Sequence, residues 1–115
     1  MTNQIYWILK ASINEGKKGE LQGLAKQFCE LTEKEEGVVA YEWSINDDML
    51  HIYERYANSD EALSHTANIG SLLPELIELV TPTEIECYGA ASDAFKEAFK
   101  DVPMVYFDTF AGFHR

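Results

Sequence analysis

Apolar and polar positions along the chain change period several times, and each change predicts an element. From Ile5 to Ile13, "IYWILKASI" is a run rich in β-branched and aromatic residues, which predicts a strand. "NEGKKG" then breaks it with two glycines. From Lys17 to Glu36, Leu21, Leu24, Ala25, Phe28, Cys29 and Leu31 recur at helical spacing. That period predicts an amphipathic helix, with Gly37 fitting its end. "VVAYEWSI" (Val38 to Ile45) and "MLHIYERYA" (Met49 to Ala57) both alternate about the turn signal "NDD", predicting a hairpin. "NSDEAL" offers Asn58 or Ser59 as an N-cap, with acidic residues in the first turn. The second helix runs to about Asn68 and, after a break near Gly70 and Pro74, continues to Val80. "PTEIECYGA" (Pro82 to Ala90) reads as a fourth strand, "SDAFKEAFK" as one or two helical turns, and "PMVYFDTFAGFHR" as an aromatic tail.

Strand, helix, strand, strand, helix, strand, with short connections and right-handed crossovers, closes as an α+β ferredoxin-like split βαβ unit (βαββαβ). One antiparallel sheet carries both helices on one face. Nothing in the sequence divides it, so residues 1–115 read as one domain, with a core at about 3–90 and an extension at about 91–115.

The two-residue period sorts the strands into faces. With the turn at Asn46 to Met49, Ile45 sits opposite Leu50, Trp43 opposite Ile52, Tyr41 opposite Glu54 and Val39 opposite Tyr56. The first strand adds Trp7, Leu9, Ala11 and Ile13 to this apolar face, and the fourth adds Ile85 and Cys87. The helices should cover it. Glu54 breaks the pattern. An unpaired buried carboxylate costs several kcal/mol or is driven neutral, so Glu54 should meet a donor or line a cavity.

The other face holds Tyr6, Ile8, Lys10, Glu42, His51, Tyr53, Arg55, Glu84, Glu86 and Tyr88. Four of these are aromatic or aliphatic and the charges carry both signs. A second copy of the chain would bury the rings and let Lys10 and Arg55 meet Glu42, Glu84 or Glu86. A homodimer through this face is therefore expected.

On a helical wheel, Ala62, Leu63, Thr66, Ile69 and Gly70 form the core stripe. His65 falls on its edge, beside Ile69. From there a ring can reach the rim of a pocket between helix and sheet. The plainer reading is a boundary histidine without a task.

Charge narrows the partners. Twenty acidic and nine basic residues give a formal net charge of −11, which repels phosphate backbones and anionic lipid heads. Neither nucleic acid nor a membrane is expected as a partner. Cys29 and Cys87 lie far apart among apolar residues, as buried reduced thiols would. With no long apolar run and no leader-like N-terminus, the expected location is the cytoplasm. The chain contains no GxGxxG, P-loop, nucleophile elbow or HExxH. His51 and His114 are isolated, and a metal held by His51, His65 and Glu54 would need side chains from opposite sheet faces. No metal site is expected.

The layout, with "EGVVAYEWSI", a short turn, "LHIYERYANSDEALSHTAN" and "PTEIECYGA", resembles the antibiotic biosynthesis monooxygenase family, over about residues 3 to 90. The resemblance rests on Gly37 opening the second strand, Tyr41 within it, Glu54 and Tyr56 in the third, and Ser59, Glu61, Ala62, Leu63 and His65 in the helix. It implies the dimeric α/β-barrel form of the ferredoxin-like fold. It also implies an oxygenase that uses O₂ without a cofactor, on a small electron-rich aromatic such as a phenol, quinol or anthrone. The substrate anion supplies the electron. The protein supplies an apolar pocket, a base and restricted water access.

In this reading His65 is the catalytic base, since an unperturbed histidine titrates near neutrality, and Glu54 orients it. Trp7, Tyr41, Trp43 and Tyr56 bind the substrate. Some relatives are non-catalytic binding or stress-response modules, which would show a filled core without a cavity. Others bind and degrade haem through a helix histidine, with an asparagine nearby; here the first strand has only Asn14, at its end. The tail departs from the family pattern. Its Tyr106, Phe107, Phe110 and Phe113 are too apolar for a free end, and would pack on the chain itself, cross to a partner subunit or cover a pocket.

Overall fold

The computed structural model describes residues 3–115. The elements are β1 (Ile5–Ile13), α1 (Lys18–Glu33), β2 (Val38–Asn46), β3 (Met49–Tyr56), α2 (Ser59–Asn68), a 3₁₀ turn (Gly70–Leu72), α3 (Leu73–Leu79), β4 (Val80–Gly89), α4 (Asp93–Ala98) and β5 (Met104–Phe107). They form one five-stranded sheet in the order β2-β3-β1-β4-β5. The first four strands pair antiparallel and make the ferredoxin-like βαββαβ unit. β5 adds a parallel edge strand beside β4. Residues expected only as an aromatic tail thus contain a fifth strand.

The hairpin register agrees with the alternation pattern as far as Tyr41. Asn46 pairs with Met49, Ile45 with Leu50, Trp43 with Ile52 and Tyr41 with Glu54. Beyond that point the expected Val39–Tyr56 pair is replaced. The register shifts between Val38 and Ala40, so Val38 faces Tyr56 and Val39 is exposed. A bulge of this kind turns one side chain out of the alternation.

The inner face carries two apolar clusters. Leu21, Leu24 and Phe28 of α1, with Leu76 and Leu79 of α3, pack on Ala11, Ile13, Leu50 and Ile52. Ile5, Trp7, Tyr56, Ala62, Cys87 and Phe95 form the other. The helix period chose the α1 residues, and strand alternation chose the sheet residues they meet. Phe95 of α4 is fully buried, so part of the C-terminal extension covers this face of the chain's own sheet. Burial pushes the Cys87 thiol up to about 11.

Asn58 caps α2, its side-chain oxygen accepting from the Glu61 N–H at 2.9 Å. The alternative cap, Ser59, has another task. Its hydroxyl donates to the Ala90 carbonyl and accepts from the Ser92 N–H, at 3.3 and 3.0 Å. This ties the start of α2 to the β4–α4 turn. Gly89, where β4 ends, has φ +95°, and an added Cβ would meet the Gln4 carbonyl oxygen at 2.5 Å. Only glycine fits such a position without strain.

On the outer face, Tyr6 packs edge-on against Tyr53 and Tyr88, and Tyr88 against Phe107. These rings form an aromatic band across four strands. The charges behave differently from the expectation that a partner would pair them. Lys10 already reaches Glu86 at 2.9 Å and Glu84 at 3.6 Å within the chain. Arg55 donates to Gln4 and lies 4.4 Å from the Tyr6 ring centre. Phe110 and Phe113 are exposed. Among the described residues, no helix is long and apolar enough to cross a membrane.

Candidate functional site

Strand register places Trp7, Glu54 and Tyr41 in one row across β1, β3 and β2 on the inner face. α2 runs over that row and lowers His65 onto it. The imidazole is 3 % exposed, so it sits inside the structure and not at the edge where the wheel put it. A wheel measures one helix alone. The second wall here comes from the end of α1, where the chain leaves the helix and Glu35 turns inward.

His65 bridges two carboxylates. Its Nδ1 lies 2.9 Å from Glu35 Oε2, and its Nε2 lies 3.4 Å from Glu54 Oε1. The Tyr56 hydroxyl donates to the same Glu54 oxygen at 2.6 Å. Asn68 donates to Glu35 Oε2 at 3.0 Å. The result is a continuous polar chain, Asn68–Glu35–His65–Glu54–Tyr56, which runs from the exposed Asn68 into the apolar interior.

Burial dominates the electrostatics. It lifts the Glu54 carboxyl above the usual carboxylate range, although His65, Tyr56 and Trp7 all favour the anion. Burial, reinforced by the Glu54 charge, also raises the hydroxyls of Tyr41 and Tyr56 above the usual phenol range. A carboxyl whose protonated form burial favours, placed beside an imidazole, is suited to exchanging a proton with it.

A cleft of about 370 Å³ opens between the end of α1 and the start of β2, lined by residues that include Cys29, Thr32, Glu35, Val38 and Tyr41. Glu35 therefore belongs both to the cleft and to the polar chain. Of the expected site residues, Glu54 and His65 do come together, but behind Glu35 and not on the cleft wall. Tyr41 lines the cleft, with its ring centre 5.4 Å from that of His65. Trp43 packs beside Tyr41 and on Phe28. Trp7 and Tyr56 stack on each other at 4.9 Å in the second core cluster. They hold Glu54 in place from beneath.

Glu35 and Thr32 were not singled out from the sequence. In "TEKEEG", nothing in the spacing separates Glu35 from Glu33 and Glu36. The nearest signal is Gly37, where an added Cβ would run into the Glu61 side chain. That close approach brings the end of α1 against α2. Among the described residues, no group of three or more His, Cys, Asp or Glu side chains is arranged to hold a metal ion.

No family profile and no curated protein matches the sequence. Solved structures do match. MupZ from Pseudomonas fluorescens superposes with a TM-score of 0.93 at 24 % identity, over 100 % of this chain and 91 % of that one. A protein from Nitrosomonas europaea assigned to the antibiotic biosynthesis monooxygenases gives 0.66 at 14 % identity, over 76 % and 88 %. A variant of SnoaB, a cofactor-independent oxygenase from Streptomyces nogalater, gives 0.65 at 12 % identity, over 75 % and 91 %. In fold, the chain is therefore similar to these solved structures, a cofactor-independent oxygenase among them.

Proposed function

We propose that the chain is a cofactor-independent monooxygenase acting on a small electron-rich aromatic, of the phenol, quinol or anthrone class. The observation that carries the reading is the bridge from Glu35 through His65 to Glu54, one end of which lies in a cleft with both polar and apolar walls. Substrate in the cleft gives up a proton to the Glu35 carboxylate, which becomes neutral or passes the proton on to His65, whose imidazolium charge the Glu54 carboxyl faces. The substrate anion then passes an electron to O₂, and the two recombine. For an anthrone-type CH₂ the balance closes as substrate plus O₂ giving quinone plus water. The chain's own residues bind, orient and move the proton.

The alternative reading is a non-catalytic binding or stress-response module of the same fold, which would have a filled core. The aromatic band on the outer face supports a homodimer in which two sheets pack face to face. The location expected for such a protein is the cytoplasm.

Oxygen uptake over a panel of reduced quinols, phenols and anthrones tests the function. Uptake without added flavin, haem or metal is expected. Activity only with one of these overturns the mechanism, and no reaction across the panel favours the binding module. The raised carboxyl of Glu54 favours a second reading, acid–base chemistry on a similar ligand without oxygen. Turnover that persists under anaerobic conditions would select it.

A further inference from the structure

Two buried polar atoms have no hydrogen-bond partner, Thr32 Oγ1 on the cleft wall and Trp43 Nε1 on the ring packed beside Tyr41. Thr32 is 1 % exposed and lies in the last turn of α1. A helical threonine ordinarily donates back to the carbonyl four residues earlier. Thr66 does so in α2, reaching the Ala62 carbonyl at 3.1 Å, but Thr32 does not. Leaving such a group unpaired costs about 1–3 kcal/mol, and two together call for a reason.

Tyr41 shows where they converge. Thr32 and Trp43 both stand close enough to its hydroxyl to favour its anion, yet neither makes a bond to it of acceptable length and angle. Thr32 and Tyr41 line the cleft. The indole N–H can only donate, so whatever completes the cluster must be an acceptor. A second donor is available from the Thr32 hydroxyl.

We infer that Thr32, Trp43 and Tyr41 form a binding subsite for an acceptor oxygen, the carbonyl, hydroxyl or oxyanion of a small apolar ligand seated in the cleft. The inference rests on the reading of the cleft as the ligand site, and adds what grips the ligand there. Glu35 and the His65 bridge handle the proton, while Thr32 and Trp43 hold the oxygen on which negative charge develops. Donors placed in advance stabilise that charge without reorganising. The two unsatisfied atoms are the stability given up for it.

The test is a ¹⁹F NMR titration with 4-fluorophenol and 4-fluorotoluene, which share an outline and differ by hydroxyl against methyl. The unaltered protein should bind the phenol about tenfold more tightly, as one well-placed buried hydrogen bond allows. Thr32→Val and Trp43→Phe should each remove most of that preference and leave fluorotoluene binding unchanged. Thr32→Val should also melt no lower than the unaltered protein, because a methyl replaces an unpaired hydroxyl. Absence of a preference in the unaltered protein, its retention in either variant, or a clear fall in melting temperature for Thr32→Val overturns the inference. Phenol binding without oxygen uptake would leave the subsite standing and end the oxygenase reading alone.

Discussion

Nε2 of His65 lies 3.4 Å from Oε1 of Glu54, joining the middle of α2 to the buried face of β3. Neither side chain is more than slightly exposed. Each offsets part of the cost of burying the other: the imidazole offers the carboxyl a donor, and the carboxyl fixes the ring. With Glu35 on the opposite ring nitrogen, the ring has little freedom left and the bridge spans from core to cleft.

Loss of His65 should break proton movement along this bridge. His65→Ala is expected to lower turnover by on the order of a hundredfold or more, as for other positioned proton-transfer groups. Glu54→Gln should lower it less and keep the fold, since an amide can still accept from Tyr56. Steady-state oxygen uptake, with circular dichroism as the fold control, measures both.

Glu35 is the member of the bridge that faces the cleft, so Glu35→Gln should cost about as much turnover as His65→Ala. Binding of fluorotoluene should be unaffected, because it uses only the apolar walls. Full activity in Glu35→Gln would move the proton acceptor elsewhere.

The raised carboxyl of Glu54 gives a signed pH dependence. From the ordinary value of 4.5 upward to its raised folded value, the folded chain holds a proton that the unfolded chain has released. The contribution is therefore fully present below the ordinary value, and it is lost as pH rises through the window. Glu54→Gln has no such proton. Urea midpoints taken across this range should show the variant gaining on the unaltered protein as pH rises. A difference of the opposite slope would mean that Glu54 is ionised in the fold.

Sedimentation at micromolar concentration should report two chains. Ile8 is half-buried on the outer face and pairs with Tyr53. Ile8→Asp should shift the equilibrium toward one chain by placing a charge in the packed faces. A clean monomer for the unaltered protein would remove both the dimer and the closed barrel.

Gly89→Ala is expected to destabilise the fold by about 1–3 kcal/mol. Its backbone is left-handed and its Cβ would strike the Gln4 carbonyl. Gly16→Ala is the comparison, with a left-handed backbone but open space around it, so only the conformational cost of about 1 kcal/mol applies. Chemical denaturation of the two variants should separate by that steric difference.

Much of this arrangement was decided locally, and could be read from the sequence. Alternation put Trp7, Tyr41 and Glu54 on one face, because a strand's period is two and a tight turn at Asn46–Met49 sets the register. Helical spacing chose Leu21, Leu24 and Phe28 as the covering residues. A carboxylate among them had to find a partner, and the need for one could be foreseen from burial cost alone.

Other features were set only when distant segments met. The bulge at Val38–Ala40 skips Val39 out of the pattern, and no local signal announces it. β5 has four residues and pairs in parallel at a sheet edge, so its pairing depends on β4 already being in place. His65 is buried because Glu35 and Glu54 close around it, whereas its own helix shows only an edge position. Glu35 resembles its acidic neighbours in the sequence and differs from them solely in which way the chain turns after α1. Thr32 reads as one more position in a helix; that its hydroxyl is buried beside Tyr41 of β2 is decided by packing. Periodicity reports which face a side chain takes, but a site is made where faces from separate elements converge, and that is decided by packing.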